Sequence, residues 1–158
     1  MFEQLWVVTR KDDAQVATLL STTRAHLLQA ADADKGMGHS LAAAARDIQR
    51  QHTGALVVGL ADMPYVARQT LSACVDRLSE LQPAERRVVQ PRYEGQPGNP
   101  VGFSAALVPE LANCHGDEGA RQLVKQAKAD KFLSYLEVDD PGVLHDIDTP
   151  AGINDSKG

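Results

Sequence analysis

Along this chain, short runs of aliphatic and β-branched residues alternate with longer segments in which apolar positions recur every three or four residues. The first kind of pattern predicts buried strands and the second amphipathic helices. The run at 5–9 (Leu-Trp-Val-Val-Thr) reads as a strand that stops at Arg10, Lys11, Asp12 and Asp13. A helix follows it, capped by Asp12 or Asp13, with Val16, Leu19 and Leu20 on one face. A weak strand at 26–29 leads through an Asp- and Gly-rich loop into an alanine-rich helix over about 40–50. The clearest strand is 55–61, apolar on both faces, as in a parallel sheet covered by helices on both sides. A helix over about 66–81 carries Leu71, Val75 and Leu78 on one stripe, with Pro83 beyond its end. Then come a strand at 87–91, a Gly- and Pro-rich loop at 93–100, and an extended piece at 101–103. Helices over 105–111 and 119–129 and a strand at 133–138 complete the alternation, and 139–158 reads as loop with one terminal turn.

Strands alternating with helices predict an α/β fold: a three-layer, mainly parallel, doubly wound Rossmann-like sheet with right-handed crossovers. The length of 158 residues suits one domain over 1–158, large enough to bury its core without disulfides. The two cysteines, Cys74 and Cys114, stand far apart without metal-ligand spacing and read as reduced thiols. No apolar run is long enough to span a membrane, and the first ten residues lack a signal-peptide pattern. A cytoplasmic protein is expected. A net charge of -5 argues against a nucleic-acid partner, because such binding needs clustered Lys and Arg.

In an open α/β sheet, ligands bind where strands end at their carboxyl side, and three clusters fall there. The first is GMGHS, with Gly36, Gly38, His39 and Ser40, where two glycines before a helix let backbone amides approach an anion. It is equally a tight turn with Ser40 as N-cap. The second is ADMP, whose Asp62 can hold a divalent ion on substrate phosphates or cap a helix that starts at Pro64. The third runs from DDPG to DIDTP, in which Asp148 either caps a final helical turn or joins Asp62 as a metal ligand. Two further loops, with Gly98, Asn99 and Pro100, and with Asp117 and Arg121, offer amides and a guanidinium to an anionic substrate, or are turns and caps. His26, His52, His115 and His145 have no ligand spacing and read as surface residues.

Taken in order, GMGHS, ADMP, GNPVGF, GDEGAR, DDPGVL and DIDTP resemble the successive motifs of the molybdopterin nucleotidyltransferase (MobA-like NTP transferase) family, particularly its cytidylyltransferase-like branch. The likeness covers Trp6 to about Ile153. It implies that a terminal phosphate of molybdopterin attacks the α-phosphate of CTP, or less favourably GTP, with pyrophosphate leaving and Mg²⁺ neutralising charge. On that resemblance Asp62 and Asp148 are catalytic metal ligands, and Gly36, Gly38, His39 and Ser40 contact the nucleotide. Gly98, Asn99, Pro100, Asp117 and Arg121 line the molybdopterin side. A molybdoenzyme client is then expected. Two alternatives stay open: a non-catalytic module that binds or delivers molybdenum cofactor, and nucleotidyl transfer to another small phosphorylated acceptor.

The sequence departs from the family at its start. Members open with a strand and a glycine-rich loop of the type LAAGxSxRMG, then a lysine, and no such segment precedes Leu5. The resemblance places that strand between the strands at 5–9 and 55–61, so an N-terminally truncated domain with weak or no activity is expected, Met1 being an internal start. The two edges so exposed would pair directly or recruit another chain, giving a homo-oligomer.

Overall fold

The structure, a computed structural model, describes residues 2–51, 54–116 and 118–147. Strand β1 (Trp6–Arg10) is followed by α1 (Ala14–Leu20), β2 (His26–Ala30), α2 (Met37–Gln51) and β3 (Leu56–Val58). Then come α3 (Arg68–Ser79), β4 (Val88–Tyr93), β5 (Gln96–Pro97), β6 (Val101–Phe103), α4 (Val108–Leu111), α5 (Arg121–Ala129) and β7 (Leu133–Glu137). Short 3₁₀ turns at Ala33–Lys35, Ala105–Leu107 and Pro141–Leu144 join some of these.

The α/β architecture expected from the alternation is present. β1 and β2 pair in parallel, and β4 and β7 do the same. β6 inserts antiparallel between β3 and β4, and β5 folds back on β4 as a hairpin. The short Gly-rich connection at 94–100 forces this reversal, since only a crossover of a dozen or more residues returns a strand in parallel. β1 and β3 do not pair with each other, so direct pairing of those two edges does not occur. Each carries one edge without a strand partner among the described residues, and the sheet is divided there into β1-β2 and β3-β6-β4-β5 with β7 on β4.

Neighbouring residues of β6 point to opposite faces and define the layers. Val101 and Phe103 join a buried cluster with Ala45 of α2, Leu107, Val108 and Leu111, and Leu123 and Ala127 of α5. Gly102 faces the other way, and a β-carbon there would lie 2.8 Å from Leu78 Cδ1 of α3. Helices α2, α4 and α5 thus cover one face and α3 the other. Phe103, Leu107 and Leu111 are fully buried, each stabilising by roughly 1.5–3 kcal/mol relative to exposure. α2 buries Ala42, Ala44, Ala45 and Ile48, and its small alanine side chains let it pack against β1, β2 and α4 together.

Four local expectations are corrected. α2 begins at Met37, not near residue 40, because Gly36 with φ 115° turns the chain directly into the helix. β3 spans three residues, all half-buried, where a fully buried strand over 55–61 is predicted; among the described residues it pairs with β6 alone, which leaves its other edge without a strand. α3 buries Thr70, Cys74 and Leu78, a stripe turned by one residue from Leu71 and Val75, which are half-buried. α1 is capped by Asp13, whose side chain accepts from Val16 N, yet it buries no residue and leaves Leu19 73% exposed. Cys74 and Cys114 are free thiols as expected, and burial pushes the Cys74 thiol up to about 11. No helix of the described residues is long and apolar enough to cross a membrane.

Candidate active site

The motif-bearing loops meet in two groups, each built by close backbone approach. In the first, the GMGHS turn lies against the loop that leads into α5. Gly38 N donates to Gly116 O at 2.9 Å, and a β-carbon on Gly38 would meet His115 C and O at 2.7 Å. Gly38 is buried, and Gly119 packs on the same turn. His39 and Ser40 are half-buried in the first turn of α2, with His39 N donating to Gly36 O at 3.1 Å. Ser40 is therefore inside the helix and not its N-cap. Two of the amides at this helix start are engaged within the protein, by Gly116 O and Gly36 O. Arg121 is exposed at the first position of α5 and shares this group through the loop before it. Beside the turn, Lys35 pairs with Asp32 at 2.7 Å. The hydrogen bond from Lys35 holds the Asp32 carboxyl below its ordinary value, and the same bond raises the Lys35 ammonium.

The second group joins three loops at the carboxyl ends of β3 and β7 and the start of β6. Gly98 is buried, and a β-carbon there would lie 2.3 Å from Val143 O. Asn99 N donates to Val143 O at 2.9 Å, Gly98 N to Pro91 O at 2.9 Å, and Gln90 Nε2 to Gly98 O at 3.1 Å. The Asn99-Pro100 peptide is cis, with Asn99 half-buried and Pro100 buried. Gly142 in turn meets the loop after β3, where a β-carbon would lie 2.1 Å from Tyr65 O. Tyr65 also stacks edge-on against His145, with ring centroids 5.4 Å apart.

Asp62 lies exposed in the loop after β3, and its carbonyl accepts from Ile147 N at 2.8 Å. It does not cap α3: that helix starts at Arg68 with Ala67 as its N-cap residue. The capping alternative for Asp62 is thereby removed, and its carboxylate stands at a sheet end beside the chain that continues into DIDTP. Asp148, Asp117 and His52 lie outside the described residues.

Whether these residues suit a divalent ion follows from donor chemistry. An exposed carboxylate is a hard oxygen donor of the kind Mg²⁺ and Mn²⁺ prefer. Among the described residues no group of three or more His, Cys, Asp or Glu is placed to hold a metal. A single exposed carboxylate such as Asp62 is the kind of ligand used by an ion that takes one or two carboxylates and completes its shell with water and phosphate oxygens.

Residues to which the sequence pattern assigns no individual role also shape this region. Asp140 and Thr70 are buried polar side chains at the second group, and Tyr65 and Gly142 are in contact there. Asp140 was visible only as part of an acidic turn. A cleft of about 510 Å³ opens at the carboxyl ends of β1 and β2, lined by Arg10, Lys11, Asp12, Ala30 and Asp34 among others. The Arg10–Asp34 pair across it is 3.9 Å apart and more than 80% exposed at both side chains, so it contributes little stability.

Comparison with known proteins bears on the same features. Residues 1–131 match the family model of the MobA-like NTP transferase domain. Purine catabolism protein PucB of Bacillus subtilis is 35% identical over 119 residues, which is 75% of this chain and 55% of PucB. The chain thus spans about half the length of that curated relative. Rv0371c of Mycobacterium tuberculosis superposes with a TM-score of 0.74 at 27% identity, over 98% of this chain and 75% of that one. The same protein in complex with manganese gives 0.72 at 26% identity, over 98% and 77%. Molybdopterin-guanine dinucleotide biosynthesis protein A of Archaeoglobus fulgidus shares the fold, with a TM-score of 0.59 at 19% identity over 95% of this chain and 75% of that one. With the family model covering most of its length and the paired glycine loops at its sheet ends, the chain belongs to the MobA-like NTP transferase family.

Proposed function

We propose that this domain serves nucleotidyl transfer in molybdenum cofactor biosynthesis, moving CMP, or less favourably GMP, from the triphosphate to molybdopterin. In that reaction an oxygen of the acceptor's terminal phosphate forms a bond to the α-phosphorus. The bond from that phosphorus to the β-phosphate oxygen breaks, and pyrophosphate leaves. The single observation that carries the reading is Asp62: an exposed carboxylate at a sheet end, released from any capping role, with its backbone tied to Ile147 one residue before Asp148. Asp62 and Asp148 would hold Mg²⁺, which when bound neutralises charge on the triphosphate and the departing pyrophosphate. Gly36, Gly38, His39 and Ser40 would face the nucleotide. Gly98, Asn99 and Pro100 would line the acceptor side, with Asp117 and Arg121 shaping its approach. The manganese complex of Rv0371c supports a divalent metal in this family.

A second reading is a non-catalytic module that binds or delivers the cofactor. It is favoured by the amides of Gly38 and His39, which donate within the protein and are not free for a phosphate. Transfer to another phosphorylated acceptor uses the same metal and shares the first test.

Titration calorimetry of the full chain with Mg²⁺-CTP and with molybdopterin separates the readings. The expected result is Mg²⁺-CTP binding that weakens at least ten-fold in Asp62→Ala. Because Asp62 is exposed, that variant should unfold within about 0.5 kcal/mol of wild type. Molybdopterin binding with no response to Mg²⁺-CTP would overturn the transferase reading in favour of the module.

A further inference from the structure

Asp140 is the only buried carboxylate among the described residues, with 6% of its surface exposed. Both of its oxygens are engaged. Oδ2 accepts from Thr70 Oγ1 at 2.6 Å and from Ala67 N at 2.9 Å, and Oδ1 accepts from Gly142 N at 3.0 Å. These partners belong to two segments some seventy residues apart in sequence. Ala67 and Thr70 form the start of α3, where a negative charge is favoured by the helix dipole and by donors that lack an intrahelical partner. The carboxylate is thus a cap supplied from the far end of the chain. Its surroundings leave it no route to a substrate.

What the cap does follows from its neighbours. The loop between β3 and α3 is fastened at its far end by Asp140, where Gly142 also presses on Tyr65 O, and in its middle by Ile147 N donating to Asp62 O at 2.8 Å. Residues 63–66 lie between these two points. Releasing one fastening lets the segment that carries Asp62 pivot about the other.

We infer that Asp140 is a positioning residue, which fastens the end of the Asp62 loop to the turn at 140–142, thereby supports the separate Ile147–Asp62 bond, and so sets where the Asp62 carboxylate is presented. The inference rests on the metal-binding reading of Asp62 and assigns the residue that makes that geometry fixed. A carboxylate is needed because three donors converge on two acceptor oxygens. An asparagine of the same shape offers one acceptor oxygen, and its amide would face N–H donors. A serine at position 70 keeps the hydroxyl, whereas valine keeps the shape and loses it.

The experiment uses the full chain as wild type, Asp140→Asn, Thr70→Val and Thr70→Ser. Mn²⁺ alone is titrated by paramagnetic resonance of the free ion, and amide hydrogen exchange is read at Ile147 and at Val88 and Val89 of β4. In Asp140→Asn and Thr70→Val, Ile147 should exchange at least ten-fold faster and the Mn²⁺ dissociation constant should rise at least ten-fold. Val88 and Val89 should keep their protection, and Thr70→Ser should restore wild-type behaviour. Unchanged Ile147 exchange in Asp140→Asn overturns the inference. So does equal acceleration at Ile147, Val88 and Val89, which marks a purely structural role. A wild type that binds no Mn²⁺ sinks the metal reading of Asp62, and the exchange ratio at Ile147 then decides by itself whether the clamp exists.

Discussion

Replacing Gly142 by alanine tests whether the loop junction is as tight as its geometry implies. A β-carbon at this position would lie 2.1 Å from Tyr65 O and 2.5 Å from Tyr65 C. Both are backbone atoms that cannot rotate away. Ordinary contact begins near 3.4 Å, so the two loops must part by about 1.3 Å. Overpacking of this kind costs roughly 1–3 kcal/mol. Parting the loops also strains the hydrogen bond from Gly142 N to the Asp140 carboxylate, and a bond to a charged group contributes about 1.5–3 kcal/mol. The combined loss is on the order of 3–5 kcal/mol, which in a domain of this size lowers Tm by on the order of 10 °C. Gly59→Ala is the control, since nothing lies within 4 Å of its β-carbon. Scanning calorimetry of both variants beside wild type reads the difference. A Gly142→Ala midpoint within about 2 °C of Gly59→Ala would refute the close approach and the clamp built on it.

Two further outcomes follow from burial. Phe103 is fully buried in the cluster between β6 and helices α2, α4 and α5, so Phe103→Ala should lose about 3–5 kcal/mol in urea unfolding; a loss under about 1 kcal/mol would contradict that core. The fold raises the Cys74 thiol from 9.0 to about 11, so between those pH values the unfolded chain gives up its proton while the native chain keeps it. The stabilising contribution is complete below pH 9 and is lost as pH rises toward 11, a fall of roughly 2–3 kcal/mol. Urea midpoints across that range should fall more steeply for wild type than for Cys74→Ala, and parallel curves would show that burial does not hold the thiol neutral.

Much of the fold is legible in the sequence because hydrophobic periodicity is a local property. The strands around Val7, Leu28, Val89 and Leu136 and the helix over Leu123 and Ala127 stand where their patterns place them. The misplacements have non-local causes. The start of α2 at Met37 combines the local turn at Gly36 with a distant partner that no local pattern shows, Gly116 O accepting from Gly38 N. The buried stripe of α3 runs through Thr70 because Asp140, seventy residues away, supplies its partner. Among the candidate site residues, Asp62 is singled out by its position after a strand, since that position is itself written in the local pattern. Asp140 is not. The acidic pair before Pro-Gly reads as part of a ligand-facing carboxylate cluster, and nothing short of the folded contact distinguishes Asp139, which is exposed, from Asp140, which is buried.

The motifs owe their brevity to the way the sheet ends are assembled. Each is half of a backbone contact: Gly38 against Gly116, Gly98 against Val143, Gly142 against Tyr65. Such contacts need a missing side chain at one point and leave the flanking residues free, so a motif of four or five residues carries little information alone. Their order along the chain carries more, because it fixes which halves meet. GMGHS meets the loop of GDEGAR, GNPVGF meets DDPGVL, and DDPGVL also meets the segment just after ADMP at Tyr65 and Ala67. The DDPGVL turn is therefore the common member of the second group, touching Asn99 on one side and the Asp62 loop on the other. Metal side and acceptor side, as proposed, are joined through this one turn. β3, β6, β4 and β7 form one continuous sheet beneath these loops, and the loop contacts fasten its carboxyl-end connections to one another. On the proposed reading, Asp140 lies in this turn and so acts on the geometry of the Asp62 carboxylate from across the junction.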